Sequence, residues 1–277
     1  MEEKVKGCII TSKVLKWARR FLEEKGFMEI LPLILTKLSD PLLQVEYARA
    51  QIGDREFLLT TSMIFQKQIL MNYFEKIFIV SPNIRIEKES PHHLIEFVQI
   101  DVEIRNAGRE SVLSFIEDFL IYIISKVKEE IPHLVKVSVP KKPFKRITVL
   151  EMKEKFGDML NFSKSIEEPH FLIDFLEKER EFYDKEDPER RGILLDYDLI
   201  YPFGFGEGLS GGEREYEYHK IVERIRRKGI PLEIFKEYLE YAKEGFYPSA
   251  GFGLGVERLV KYLGGFDEIK KARFFIY

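Results

Sequence analysis

From Phe97 to Ile104 the chain alternates without a break: Phe97, Gln99, Asp101 and Glu103 fall on one side of an extended strand, and Val98, Ile100, Val102 and Ile104 on the other. Arg85 and Glu87 share parity in an earlier extended run, and a polar loop separates the two segments. Paired as a hairpin, the runs present one aliphatic face and one face of arginine, glutamate, phenylalanine, glutamine and carboxylates. Mixed charge beside an aromatic ring is costly to bury without a ligand. A solvated face on an edge hairpin carries the same pattern, so the residues alone leave both a binding face and a wet face open.

Around this hairpin the periodicity switches between helix and strand. Thr11 to Lys25 carries Val14, Leu15, Ala18, Phe21 and Leu22 on one helical face, with Gly26 placed to stop it. The apolar run from Phe27 to Leu35 contains Pro32, which suits an edge strand or an interface segment. Val45 to Thr60 reads as a hairpin turning at Gly53-Asp54, Ser62 to Tyr73 as a helix, and Lys76 to Val80 as a short buried strand. Arg109 to Glu130 reads as a long amphipathic helix. The region of about 140–188 is charged and irregular, and is expected to be an insertion within a single domain spanning 1–277. Strands are expected from Gly192 to Ile200 and near Phe203 to Glu207, then helices from Glu215 to Lys228 and Pro231 to Gly245, then a strand-to-helix unit from Ala250. Adjacent strands with helices set apart predict an α+β fold, a largely antiparallel sheet flanked by helices.

Composition narrows the function classes. With 45% hydrophobic residues in 277, a sizeable core is available. A net charge of −3 gives no global basic excess for nucleic acid, and the cluster Lys141, Lys142, Lys145 and Arg146 reads as a solvated loop. Cys8 is the one cysteine, which rules out an internal disulfide and a cysteine metal cluster. The charged start Met1-Glu2-Glu3-Lys4 is unlike a secretory signal, and no apolar run reaches the ~18 residues of a membrane span. The expectation is a soluble, cytoplasmic protein with no membrane partner.

Two glycine-rich segments accompany the polar hairpin. In Gly251-Phe252-Gly253-Leu254-Gly255-Val256-Glu257-Arg258, alternate glycines let a neighbouring backbone or a nucleotide come close, and Arg258 falls in the first turn of a helix. A tightly packed strand with an exposed arginine fits equally. The spacing matches neither a Rossmann fingerprint nor a P-loop. Further upstream, Asp198 and Glu207 flank a glycine-rich bend that Arg214 follows. Two carboxylates there can hold Mg²⁺ while phosphate completes the shell, and surface acids beside turn glycines are the alternative.

In order, these segments resemble motifs 1, 2 and 3 of the class II aminoacyl-tRNA synthetases, in the aspartyl/asparaginyl subgroup. Gly26-Phe27-Met28-Glu29-Ile30-Leu31-Pro32 resembles motif 1, Arg85-Ile86-Glu87 through Glu96-Phe97-Val98-Gln99-Ile100-Asp101 motif 2, and Gly251 through Arg258 motif 3. The resemblance implies the class II catalytic fold and a homodimer through motif 1. It also implies ATP and Mg²⁺: Arg85 on the α-phosphate, Glu87 and Phe97 on the adenine, Arg258 on the γ-phosphate and the far side of the base, and Asp198 and Glu207 on the metal. Arg85 and Arg258 are the implied catalytic pair, with His92 and His93 on a loop near the phosphates. Ser62, Lys67, Gln99, Asp101 and Arg214 are the implied substrate-binding residues. Lys67 and Arg214 would grip a carboxylate, to which a planar guanidinium fork is suited.

Three features depart from the synthetases. Motif 1 begins almost at once, so no anticodon-binding domain is expected; Ile64 stands where they carry a glutamine, and Arg273-Phe274-Phe275-Ile276-Tyr277 lacks their proline-arginine pair. These features look more like archaeal asparagine synthetases related to asparaginyl-tRNA synthetase, as do Ser81 to Arg85, Glu181 to Asp184 and Ser210 to Glu215. The reaction so implied is activation of aspartate by ATP, then amidation of the β-adenylate with ammonia to give asparagine, AMP and pyrophosphate. Asp101, His92 or Glu213 would accept the amine's proton, and tRNA is not expected as a partner. The alternatives are a paralogue passing an aminoacyl-adenylate to tRNA or protein, and a catalytically silent regulatory paralogue.

Overall fold

The computed structural model describes residues 2–38, 40, 46–87, 90–91 and 93–276; His92, and Val45 at the head of the expected hairpin, lie outside them. α1 (Glu3–Glu24) buries Gly7, Ile10, Val14, Ala18, Phe21 and Leu22. It begins before Thr11 because Gly7 and Ile10 continue the face of Val14. β1 (Met28–Glu29) and β2 (Leu35–Thr36) lead to the hairpin of β3 (Arg49–Ile52) and β4 (Arg55–Leu59), which turns at Gly53 with φ +59. α2 (Ile64–Leu70), the paired β5 (Lys76–Ile84) and β6 (Glu96–Arg105), and α3 (Arg109–Glu130) follow.

The region that reads as irregular contains β7 (Lys145–Thr148), α4 (Val149–Phe156), α5 (Met159–Ser165) and β8 (His170–Ile173). Its strands have four residues each, too few for alternation to stand out from the surrounding charge. Next come β9 (Asp196–Tyr201), β10 (Gly206–Glu213), α6 (Tyr218–Arg227), α7 (Lys236–Glu244), β11 (Ser249–Gly255) and α8 (Val256–Gly264). The expected glycine-rich bend is therefore mostly strand, with Gly208, Gly211 and Gly212 packed against neighbours rather than facing solvent.

Eight strands form one sheet in the order β1-β5-β6-β11-β10-β9-β8-β7. It is antiparallel except where β1 joins β5 and β7 joins β8, and β2, β4 and β3 form a small second sheet. This is the α+β arrangement that the sequence predicts. One face packs Phe78, Ile100, Val102, Phe252, Leu254, Tyr197 and Leu199 into a core shared with α1, α3 and α8. A second cluster gathers Phe65 of α2 with Phe182, Ile221, Phe235 and Tyr238. Among the described residues, no helix is long and apolar enough to cross a membrane.

The opposite face is polar. Gln99, Asp101 and Glu103 on β6 stand across from Gly255, Gly253 and Gly251 on β11; Asp198 and Asp196 on β9 stand across from Ser210 and Gly212 on β10. Glycine is required at Gly251, where a Cβ would lie 2.1 Å from the Val102 carbonyl oxygen and 2.3 Å from Glu103 Oε2. Gly251→Ala is expected to cost about 1–3 kcal/mol through overpacking, read as a lower urea midpoint with an unchanged slope.

Candidate active site

Two cavities open on the polar face. The first, of about 500 Å³ counting its open mouth, is lined by Arg85, Glu87, His93, Phe97, Glu207 and Arg258, with Gly253 and Gly255 in its floor. The second, of about 1050 Å³, is lined by Ser62, Ile64, Lys67, Asp101, Arg180, Asp184 and Arg214. Arg85, Glu87, Gln99, Glu207 and Gly253 line both, so the chambers meet along one wall.

In the first chamber Arg85 lies just past the end of β5. Its Nε donates to the Thr61 carbonyl at 3.1 Å, and its guanidinium stands 5.0 Å from the centroid of the Phe97 ring. An apolar ring beside a fixed guanidinium offers a stacking face next to a phosphate contact. Arg258, in the first turn of α8, donates to Glu207 Oε1 at 2.8 Å. Burial pushes the Glu207 carboxyl up, but the Arg258, Arg180 and Arg85 charges outweigh it and hold it below its ordinary value. His93 Nδ1 lies 2.8 Å from Ser90 Oγ, and its Nε2 lies 4.0 Å from Glu87. Burial and Arg258 lower the imidazole's pKa, leaving it neutral near pH 7.

The second chamber holds a buried charge network. Lys67 Nζ sits 3.0 Å from Asp101 Oδ1 and 3.7 Å from Glu103 Oε2. Arg214 donates to both Glu103 oxygens at 3.1 and 3.3 Å, to Asp184 Oδ1 at 3.0 Å and to the Gly251 carbonyl at 3.1 Å. Ser81 Oγ donates to Asp101 Oδ2 at 2.8 Å, and Asn83 donates to Gln99 Oε1 at 2.8 Å. Ser62 Oγ accepts from the Ile64 amide at 3.2 Å at the head of α2. Ile64 itself is buried in the second apolar cluster.

Asp198 and Glu207 occupy neighbouring strands. Asp198 accepts from Arg180 Nη2 at 2.6 Å, while Arg180 Nε lies 2.7 Å from Asp196. Burial raises both aspartates against the Arg180 charge. Among the described residues, no group of three or more His, Cys, Asp or Glu side chains converges as a metal site. Asp198 lines neither chamber and is tied to Arg180, so with Glu207 it would suit Mg²⁺ only where a bound triphosphate supplies further oxygens.

The structure thus brings together Arg85, Glu87, His93, Phe97, Glu207 and Arg258 in one chamber, and Ser62, Lys67, Gln99, Asp101 and Arg214 in the next. His92 is outside the described residues. Glu213 lines neither chamber: it accepts from the Arg109 amide and from Lys185 at 2.8 and 3.1 Å. Residues not assigned from sequence also line the second chamber: Asp40, Arg180, Asp184 and Asp196. Asp196 shares a strand face with Asp198, a usable signal. Arg180 sits in the charged run Glu177-Lys178-Glu179-Arg180, which looks like solvated surface.

The fold, the glycine floor and the paired chambers all meet on one polar face of the sheet. The sequence profile of the class II tRNA synthetases (D, K and N) matches residues 2–276, so the chain belongs to that family. It is 29% identical to the aspartate–tRNA(Asp/Asn) ligase of Sulfurisphaera tokodaii over 95% of this chain and 66% of that protein. It is also 29% identical to the asparagine–tRNA ligase of Thermococcus kodakarensis over 98% and 68%. The asparaginyl-tRNA synthetase of Pyrococcus horikoshii, solved with asparaginyl-adenylate, superposes with a TM-score of 0.91 at 25% identity, covering 99% of this chain and 68% of that one. The chain therefore spans about two thirds of these relatives' length, 66% of the first. The expectation that excludes tRNA as a partner is corrected by these relatives, which are themselves tRNA ligases.

One acid in the second chamber makes stability pH-dependent. Burial, then the charge of Glu181, pushes the Asp40 carboxyl from 3.8 up to about 7. Between those values the folded chain alone keeps the proton, so this group's contribution to stability falls as pH rises through the window. Asp40→Asn cannot titrate and can still accept from Tyr183, which donates to Asp40 at 2.8 Å. The variant's urea midpoint is expected to rise relative to the wild type from about pH 4 to about pH 7 and then level off.

Proposed function

We propose that this chain activates an aspartate-type amino acid with ATP, forming an aminoacyl-adenylate in the manner of the aspartyl/asparaginyl synthetases, and passes it to tRNA. The observation that carries the reading is the shared wall: Arg85, Glu87, Gln99 and Glu207 line both chambers. ATP in the first chamber would present its α-phosphate at that wall, with Phe97 on the adenine and Arg258 on the outer phosphate. The amino acid would enter the second, its carboxylate met by Lys67 and Arg214. Asp184 is the partner that the incoming carboxylate would displace from Arg214, since burial already disfavours its charged form. A carboxylate oxygen then attacks the α-phosphorus and the bond to the pyrophosphate oxygen breaks, with Arg85 meeting the charge on the phosphate oxygens. Asp198 and Glu207 would hold Mg²⁺, which when bound adds positive charge against those oxygens.

A second reading keeps the same adenylate but takes ammonia as acceptor, giving asparagine. It is favoured by a surplus of acid. Among the described residues the second chamber is lined by eight carboxyls (Asp40, Glu87, Asp101, Glu179, Glu181, Asp184, Asp196 and Glu207) against four cations (Lys67, Arg85, Arg180 and Arg214). Burial shifts Asp40, Asp184 and Asp196 towards their protonated forms, so the surplus of charge is smaller than the count; what remains attracts ammonium groups, those of the substrate and of an amine acceptor alike. Ile64, apolar beside them, leaves room for aspartate to bind with either carboxylate towards Arg85.

Pyrophosphate exchange dependent on aspartate or asparagine tests the shared step. Arg85→Ala is expected to slow it about 100-fold or more, and unchanged exchange would remove Arg85 from the site. Acceptor assays then separate the readings: acylated tRNA supports the first, and asparagine accumulating with AMP in ammonium supports the second.

Met28, Leu31, Leu33 and Ile34 lie exposed beside β1, Leu31 to 88%. An apolar run of this kind is suited to a two-fold partner. We expect sedimentation equilibrium at micromolar protein to give a dimer, and Leu31→Glu to shift it towards monomer.

A further inference from the structure

β11 stops pairing with β6 at Gly255 opposite Gln99, so the next amide on that edge, Val98, has no strand partner there. Glu257 of α8 replaces the ladder: its two carboxylate oxygens accept from the Val98 amide at 3.0 and 3.2 Å. On the other side of Phe97, Arg273 donates to the Glu96 carbonyl at 2.8 Å and to the Glu96 carboxylate at 2.7 Å. Its Nε lies 3.7 Å from Glu257, closing the arrangement. The same segment also reaches the loop before β6, since the Ile269 amide donates to the Pro91 carbonyl at 3.0 Å. Phe97 is thus bracketed on both sides by one connected group of side chains that does not touch the chamber's contents through Arg273.

We propose that Arg273 is a positioning residue for the nucleotide chamber, holding the Glu96 backbone on one side of Phe97 and facing Glu257, which holds the Val98 amide on the other, so that the ring stays aligned with Arg85. The inference rests on the reading of the first chamber as the ATP site. A planar guanidinium is needed because it meets a carbonyl and a carboxylate at once while facing Glu257. A lysine keeps the charge but not the fork. Among the described residues, none that lines the amino-acid chamber hydrogen-bonds or ion-pairs with the Arg273 side chain, so its loss is expected to act on nucleotide affinity and to leave the bound adenylation step alone.

The test compares wild type with Arg273→Ala, Arg273→Lys and Glu96→Ala. Binding of a non-hydrolysable ATP analogue is measured by calorimetry, and pyrophosphate exchange gives KM and kcat. Arg273→Ala is expected to weaken analogue binding and raise the ATP KM about tenfold, with kcat at saturating ATP and the amino-acid KM unchanged. Arg273→Lys should recover part of the loss. Glu96→Ala removes only the side-chain half of the contact and should cost about threefold, and the double variant with Arg273→Ala should be no worse than Arg273→Ala alone. Wild-type ATP affinity in Arg273→Ala overturns the proposal, as does an equal loss in the ATP KM, the amino-acid KM and the thermal midpoint, which marks a general loss of folding. A wild-type protein that fails to bind the analogue removes the ATP-site reading itself, and the inference with it.

Discussion

Everything at the centre of this molecule depends on burying Lys67, Asp101, Glu103, Arg214 and Asp184 together on one face of the sheet. Isolated, each charge would be several kcal/mol too costly to bury, and breaking one member of such a network costs about 3–5 kcal/mol. Geometry makes the burial tolerable. Glu103 accepts both from Arg214 and from Ser249, at 3.0 Å for the latter, and Asp101 accepts from Ser81. Space for these side chains comes from the facing strand, where a Cβ on Gly253 would approach Gln99 Nε2 to 2.9 Å and Asp101 Oδ1 to 3.3 Å. The glycine alternation of β11 and the charge alternation of β6 are therefore one device: the first is the steric condition for the second.

That coupling explains what could be read in the sequence. The period of β6 and the glycines of β11 were each ambiguous alone, because a wet edge strand and a packed strand give the same residues. Their antiparallel register, Gly251 against Glu103 and Gly253 against Asp101, removes the ambiguity, and register is a tertiary fact that no local window contains. α3 was legible to its ends, since a full amphipathic helix carries its own pattern. β7 and β8 were not, being short and set among charges. Arg180 was hidden for a different reason. It is presented by a segment whose backbone is held from outside by α6, where Arg224 donates to the Glu181 carbonyl at 3.2 Å and Lys228 to the Arg180 carbonyl. Sequence shows the charges of that segment but not which of them face inwards.

The two chambers differ in electrostatic character, and the difference divides the chemistry. At the Phe97 end, Arg85 and Arg258 flank an aromatic ring, an arrangement that favours a polyanion with a flat base. At the Asp184 end carboxyls outnumber cations, which favours an ammonium group and, through Arg214, one carboxylate beside it. On the proposed reading, an amino acid carrying both charges goes to the second chamber and the nucleotide to the first. Arg180 marks the border. It spans Asp196 and Asp198 with its guanidinium 3.6 Å from the centroid of the Phe175 ring, a cation held in place between the acid-rich chamber and β9.

α8 ties the stability of the fold to the shape of the site. Leu259, Val260 and Leu263 are fully buried in the main core, so the helix cannot shift without disturbing that packing. Its other side carries Glu257 towards Val98, Arg258 towards Glu207, and Lys261 towards the Pro91 carbonyl at 3.3 Å. Glu257, Arg258 and Lys261 thus reach the strand bearing Phe97, the Glu207 side of the chamber and the loop above it. A helix so anchored places these groups at fixed spacing, which is the preorganisation that an electrostatic site needs if the protein is not to reorganise during the reaction. The strand-to-helix unit that begins at the glycines is therefore both floor and frame: β11 makes room for the buried charges, and α8, continuing from it without a loop, fixes where Arg258 stands relative to the strand that carries Phe97.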